Sequence, residues 1–337
     1  MYRWSRMTMW SAVLLVMMMG LAACGADNSA SLEVAGQAST ENVQPSAAPE
    51  STEASVEEEG ATRIVTDEFG EVEVPAHPQR VAGIYVEDYL KALGVTPIVQ
   101  WYHPSWGKQD YLNLDVPLFD ISGSLEALLD QNPDLIIVDG AVDAEKYELY
   151  SKIAPTYRLK ESILQDSAEI LKAVADVMNI PEKSESVLAD YTAKVADGKA
   201  KLQLALGKEK VAVLRLNVAE KSIALFGVKN RYTGVIYSQF GLEPIPLAAN
   251  MTEFQSIISE EVVPDLEADH IIIFPDNGTW DDQVNQEAYK TLEGPLWQNI
   301  PAIKNGNVYK MERSHWQSGA ITANSMKLDD LLKYMVK

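Results

Sequence analysis

An unbroken helical pattern from Pro181 to Leu206, with strands and helices alternating on both sides of it, constrains the fold more than any other feature of this chain. Proline is well tolerated at a first helical position, and Gly207 supplies a stop. Val187, Leu188, Tyr191, Val195, Leu202 and Leu206 fall near one stripe at helical spacing. Some 25 residues at about 1.5 Å rise each make a rod on the order of 35–40 Å long. A coiled-coil stalk is the competing reading, and fewer than four clean heptads speak against it. A further helical pattern, Ser167–Asn179, ends just before Ile180-Pro181.

Upstream, Arg63–Thr66, Asp67–Gly70 and Glu71–Val74 read as a hairpin, ended by Pro75 and Pro78. Val81–Tyr85, Pro97–Gln100 and Asp134–Val138 are predicted strands, the last with the continuous apolar character of a parallel sheet. Helices are expected near Asp88–Leu93, Ser124–Leu129 and Ala144–Lys152. Downstream, Val211–Leu216, Ile223–Phe226, Asp269–Phe274 and Asn307–Lys310 read as strands. Gly234–Phe240 and Lys327–Val336 read as helices, the latter amphipathic. The predicted class is α/β: two Rossmann-like α/β lobes joined by a single long rigid interlobe helix. The expected segments are a leader 1–23, a tether 24–60, an N-terminal lobe 61–165, a helical segment 166–207 and a C-terminal lobe 208–337.

The leader carries Arg3 and Arg6, then an apolar run from Trp10 to Leu21 that has the length of a signal peptide and is too short to span a bilayer. Leu21-Ala22-Ala23-Cys24 looks like a bacterial lipobox, in which Cys24 becomes the lipid-bearing mature N-terminus. An ordinary secretory signal with a chance cysteine is the alternative. A single cysteine excludes an intramolecular disulfide. Gly25–Gly60 holds eight acids, no lysine or arginine and no aromatic residue, so it reads as a disordered spacer. The whole chain carries a net charge of −21, and loss of the two leader arginines takes it to about −23. So acidic a body disfavours nucleic acid, and it gains nothing from anionic lipid head groups, so acyl chains are the expected membrane attachment.

These segments resemble the substrate-binding proteins of iron–siderophore and cobalamin ABC importers, the helix-backboned class, over roughly Thr62–Lys337. The resemblance rests on Val74-Pro-Ala-His-Pro-Gln-Arg80-Val-Ala, on Leu90-Lys-Ala-Leu-Gly-Val-Thr-Pro97, and on Ser124-Leu-Glu126 followed by Asn132-Pro-Asp134-Leu-Ile-Ile. It continues with Ser259-Glu-Glu261 and Leu266-Glu-Ala-Asp269-His-Ile, then Pro295-Leu-Trp297 and Pro301-Ala-Ile-Lys-Asn-Gly-Asn-Val-Tyr309. It implies a receptor, not an enzyme, that traps a ferric siderophore between its lobes and delivers it to a membrane permease driven by a cytoplasmic ATPase. It also implies small lobe movements on binding, a monomeric state and, at Glu126 and Glu261, one permease-docking carboxylate per lobe. Each glutamate alternatively just occupies a helix first turn, where the dipole favours acids. Receptors for haem, cobalamin or a directly coordinated metal share the scaffold.

Ligand contacts are expected on loops leaving strand C-terminal ends. In the first lobe these are Tyr85 and the aromatic loop bearing Trp101, Tyr102, His103 and Lys108; in the second, Arg215, Lys229, Arg231, Tyr232, Trp280 and Trp316. Arginine and lysine suit chelate oxygens, and with Trp106 the set leans towards a bulky anionic ferric chelate. The alternative for each cation is an ordinary surface charge. His77, His103, His270 and His315 are not spaced as a metal-ligand set. No protein-bound metal and no covalent cofactor beyond the N-terminal lipid is expected. The chain has no Gly-x-Ser-x-Gly, His-Glu-x-x-His, Cys-x-x-Cys or phosphate-binding Gly-x4-Gly-Lys-Ser/Thr motif, which leaves a lipid-anchored hydrolase as a poor rival.

Overall fold

The computed structural model describes residues 60–336. The leader, Cys24 and the tether lie outside the described residues. Strands Thr62–Thr66 and Glu71–Pro75 pair antiparallel, with Thr66 opposite Glu71. Asp67 closes their turn by accepting hydrogen bonds from the amides of Phe69 (2.7 Å) and Gly70 (3.0 Å). Three parallel strands follow in the order Val81–Ile84, Leu135–Val138, Thr156–Arg158. Their residues alternate between two apolar clusters, Leu135 and Ile137 on one face, Ile136 and Val138 on the other. Burial on both faces explains the unbroken apolar run in the sequence.

Two strand expectations need correction. The segment at Pro97–Gln100 forms a strand only at Gln100–Tyr102, paired in parallel with Leu118–Asp120 in a separate two-stranded sheet. In the C-terminal half, Lys210–Asn217 and Ser222–Phe226 form an antiparallel hairpin, not another β–α alternation. The six-stranded sheet there runs Gln255–Ile257, Ser222–Phe226, Lys210–Asn217, His270–Pro275, Val308–Lys310, with Glu243–Pro244 also beside Lys210–Val211. Val211 and Val213 face one cluster, Ala212 and Leu214 the other.

The long helix spans Pro181–Leu206, as its boundary residues predict. Its stripe is shared: Val187, Leu188 and Tyr191 pack on the N-terminal core, whereas Val195, Leu202 and Leu206 pack on the C-terminal one. It is not the only link. The closing helix runs Ile321–Met335, starting six residues before the expected Lys327, and it too crosses between the halves. Ile321 sits in the N-terminal core; Leu328, Leu331 and Met335 sit in the C-terminal core. Gly198 lets the two helices touch, because a Cβ there would lie 2.7 Å from both methyls of Leu328. The two lobes are therefore joined by a pair of packed helices. Among the described residues no helix is long and apolar enough to cross a membrane.

Candidate functional site

The C-terminal ends of the central strands in both halves face one cleft of about 800 Å³, a size that suits a drug-sized ligand. Tyr85, immediately after Val81–Ile84, adopts a left-handed backbone (φ 68°) that turns its side chain onto Trp101, ring centroids 4.9 Å apart. Burial, then the negative charge of Asp139, pushes the Tyr85 phenol up to about 12, so it stays a hydrogen-bond donor. Trp101 is positioned from behind by Glu87, a fully buried side chain whose Oε1 accepts the Trp101 amide at 2.8 Å. Trp106 lines the cleft and stacks on His103 at 3.8 Å, across a small loop closed by His103 and Gly107.

The opposite wall is cationic. Arg215 projects from the strand Lys210–Asn217, donates to Asn217 Oδ1 at 2.8 Å and lies over the Phe226 ring. Arg313 opens the short helix Arg313–Trp316 and donates to the carbonyl of Asp276 at 2.8 Å. Among the described residues neither of these two guanidiniums forms an ion pair. Burial lowers the pKa of each, by stripping water from the charge. Arg231 differs: it reaches across to Asp139 in the other lobe, 2.5 Å away. Burial works against its charge, and the Asp139 carboxylate more than restores it. Three buried side-chain atoms on the cleft wall have no partner among the described residues: Trp101 Nε1, Gln109 Oε1 and Gln317 Oε1. Buried polar atoms are nearly always paired, so these are places for a ligand's hydrogen bonds.

Of the predicted contacts, Tyr85, Trp101, Arg215, Arg231 and Tyr232 come together in the cleft. The others do not line it. Trp316 is fully buried in the C-terminal core, its Nε1 donating to Asp330 at 2.8 Å. Trp280 packs edge-on to Tyr289 and donates to the Met311 carbonyl. Lys229 lines a separate cavity of about 590 Å³. Lys108 pairs with Asp110 at 2.7 Å, Tyr102 lies within its short strand, and His103 acts behind Trp106. Asp139, Gln109, Arg313 and Gln317 escaped sequence reasoning. Asp139 alone carried a usable signal, as the polar residue directly after an apolar parallel strand. Glu126 and Glu261 are both exposed; Glu126 opens the short helix Glu126–Leu129, whereas Glu261 stands in a turn before Val263–Asp265. A further cavity of about 780 Å³ lies entirely in the C-terminal half, with largely aliphatic walls that include none of these arginines.

A cleft between two α/β halves, with aromatic faces on one side and guanidiniums on the other, is a small-molecule receptor's arrangement. The description "Periplasmic binding protein" matches residues 86–314 of the chain. The chain belongs to the periplasmic binding protein family. This periplasmic binding protein is 34% identical over 262 residues to the iron(3+)-hydroxamate-binding protein FhuD of Bacillus subtilis, covering 73% of this chain and 77% of that one. It is 28% identical to a probable siderophore-binding lipoprotein of the same organism, covering 82% and 88%. Among solved structures, a periplasmic binding protein component of a Fep/Fec-like ferrichrome ABC transporter from Bacillus subtilis superposes with a TM-score of 0.67 at 29% identity, over 81% of this chain and all of that one. The staphyloferrin B complex of a Staphylococcus aureus protein also reaches 0.67, at 21% identity over 81% and 98%, and shares the fold. The family is one of binding proteins, not enzymes.

Proposed function

We propose that the protein is the extracytoplasmic receptor of an ABC importer, capturing a ferric siderophore in the interlobe cleft. One observation carries this reading: the cleft sets Arg215 and Arg313, neither of them in a direct ion pair among the described residues, opposite the faces of Tyr85 and Trp101. Guanidiniums donate to the oxygens that surround chelated iron, while aromatic faces cover its organic periphery. Relatives named for iron–hydroxamate and siderophore binding support the same cargo. The receptor works as a monomer tethered by lipid at Cys24, and Glu126 and Glu261 orient it on a permease powered by a separate ATPase.

Tryptophan fluorescence tests the cargo, because Trp101 and Trp106 line the cleft. Titration with ferric siderophores quenches saturably, and the iron-free chelators give no saturable change. Equal quenching by loaded and iron-free forms, or none by any ferric chelate, overturns the assignment.

A further inference from the structure

The cleft wall carries three guanidiniums, Arg215, Arg231 and Arg313, and three carboxylates, Asp139, Glu220 and Asp276. A pocket built for a multiply anionic cargo leaves its cations uncompensated, whereas this wall sums to zero. The balance is also arranged by position. Burial costs Arg215 some of its charge stability, and the negative charges of Asp276 and then Glu220, on the same wall, offset part of that cost. Asp110 first, and then Asp276, offset part of what burial costs the charge of Arg313. Asp139 is bonded directly to Arg231, and its side chain is only 5% exposed.

Each oxygen of the Asp139 carboxylate has a partner. Its Oδ1 accepts the Ala141 amide at 2.7 Å and its Oδ2 takes Arg231 from the opposite lobe. An anionic chelate that approaches Arg231 from the cleft brings its charge to the far side of a guanidinium already neutralised by Asp139. It then has two routes, both unfavourable. It can share Arg231 and suffer repulsion from Asp139 in a partly desolvated space, or it can draw Arg231 away and leave a buried carboxylate without its cation. A chelate in which three singly charged bidentate arms cancel the charge of Fe3+ incurs neither cost. Its oxygens can still accept from Arg215 and Arg313, and its amide groups can meet Gln109 Oε1, Gln317 Oε1 and Trp101 Nε1. Counted with these carboxylates, the wall gives no net charge lean towards an anionic cargo, unlike the basic residues taken alone.

We infer that the interlobe ion pair Asp139–Arg231 is a charge filter, selecting neutral ferric chelates over multiply anionic ones. This inference rests on the reading of the protein as a ferric-siderophore receptor.

The test uses the full-length protein in mild detergent and two probes, neutral ferrichrome and a trianionic ferric tris-catecholate, each titrated by tryptophan quenching. Wild type binds ferrichrome at least about 100-fold more tightly than the trianion, and Asp139→Asn narrows that ratio by about tenfold, chiefly by tightening the trianion. Asparagine keeps an acceptor for the Ala141 amide, so the local turn is retained and the ratio between the two chelates is the readout. A wild-type preference for the trianion overturns the filter, and needs no variant should Asp139→Asn fail to fold. An unchanged ratio in a folded Asp139→Asn protein also overturns it. If wild type binds neither chelate nor any other ferric siderophore, the receptor reading itself fails and takes the filter with it.

Discussion

Glu87 shows how a single buried group sets both the geometry of the cleft and the pH response of the fold. Its Oε1 holds the Trp101 amide, and its Oε2 has no partner among the described residues. Burial pushes this carboxyl from 4.5 up to about 8, opposed in part by the Trp101 hydrogen bond. Between those values the unfolded chain releases the proton and the folded protein keeps it, so Glu87 makes stability fall as pH rises from about 4.5 to about 8. Lys327, held down at about 7 by burial, has the opposite sign: its contribution makes stability rise between about 7 and 10.5. Glu87→Gln removes the first slope while keeping an acceptor for Trp101. Urea unfolding at a series of pH values measures this, and a slope as steep as wild type in the variant would count against the assignment. Neither group was legible in the sequence, because each owes its behaviour to burial by distant segments. Tyr85, Arg215 and Arg231 were legible for a local reason: each stands at or just beyond a strand's C-terminal end. Trp316 met the same local criterion, and packing against Phe274 turned its indole into the core instead.

At the scale of elements, the two long helices contrast in how they are terminated. Pro181 and Gly207 mark the ends of the first within the chain itself, and the sequence reading placed both correctly. The closing helix has no side-chain cap of its own at Ala320. Its cap comes from the other lobe, where buried Asp88 accepts the amides of Thr322 (3.0 Å) and Ala323 (3.1 Å) and the hydroxyl of Tyr111 (2.5 Å). A cap some 230 positions away leaves no local signature, which is why the predicted helix began only at its apolar stretch. Asp88→Ala removes all three acceptor roles and leaves helix amides unpaired in the interior, so it lowers unfolding stability by roughly 2–4 kcal/mol. Asp88→Asn retains an acceptor and loses less. Chemical denaturation of the two variants gives the comparison, and equal stabilities for alanine and wild type would remove the capping role.

For the whole molecule, the alternation of strands and helices on each side of Pro181–Leu206 was enough to read two lobes and a connecting rod. The antiparallel hairpin and the second connecting helix were not readable, since both depend on which segments meet in space. The docking proposal belongs to this scale because it needs both lobes at once. Changing Glu126 and Glu261 together to alanine leaves ferric-chelate affinity within about twofold, since both are exposed outside the cleft, yet reduces cellular uptake of labelled iron to background. Uptake at the wild-type rate by the double variant would withdraw the two-point docking role.

The seating of the closing helix also orders events in time. Ile321 completes the core of the half that is synthesised first, and the Asp88 carboxylate in that half waits for the amides of Thr322 and Ala323. The earlier half thus lacks Ile321 and the amide partners of Asp88 until nearly the last residue is made.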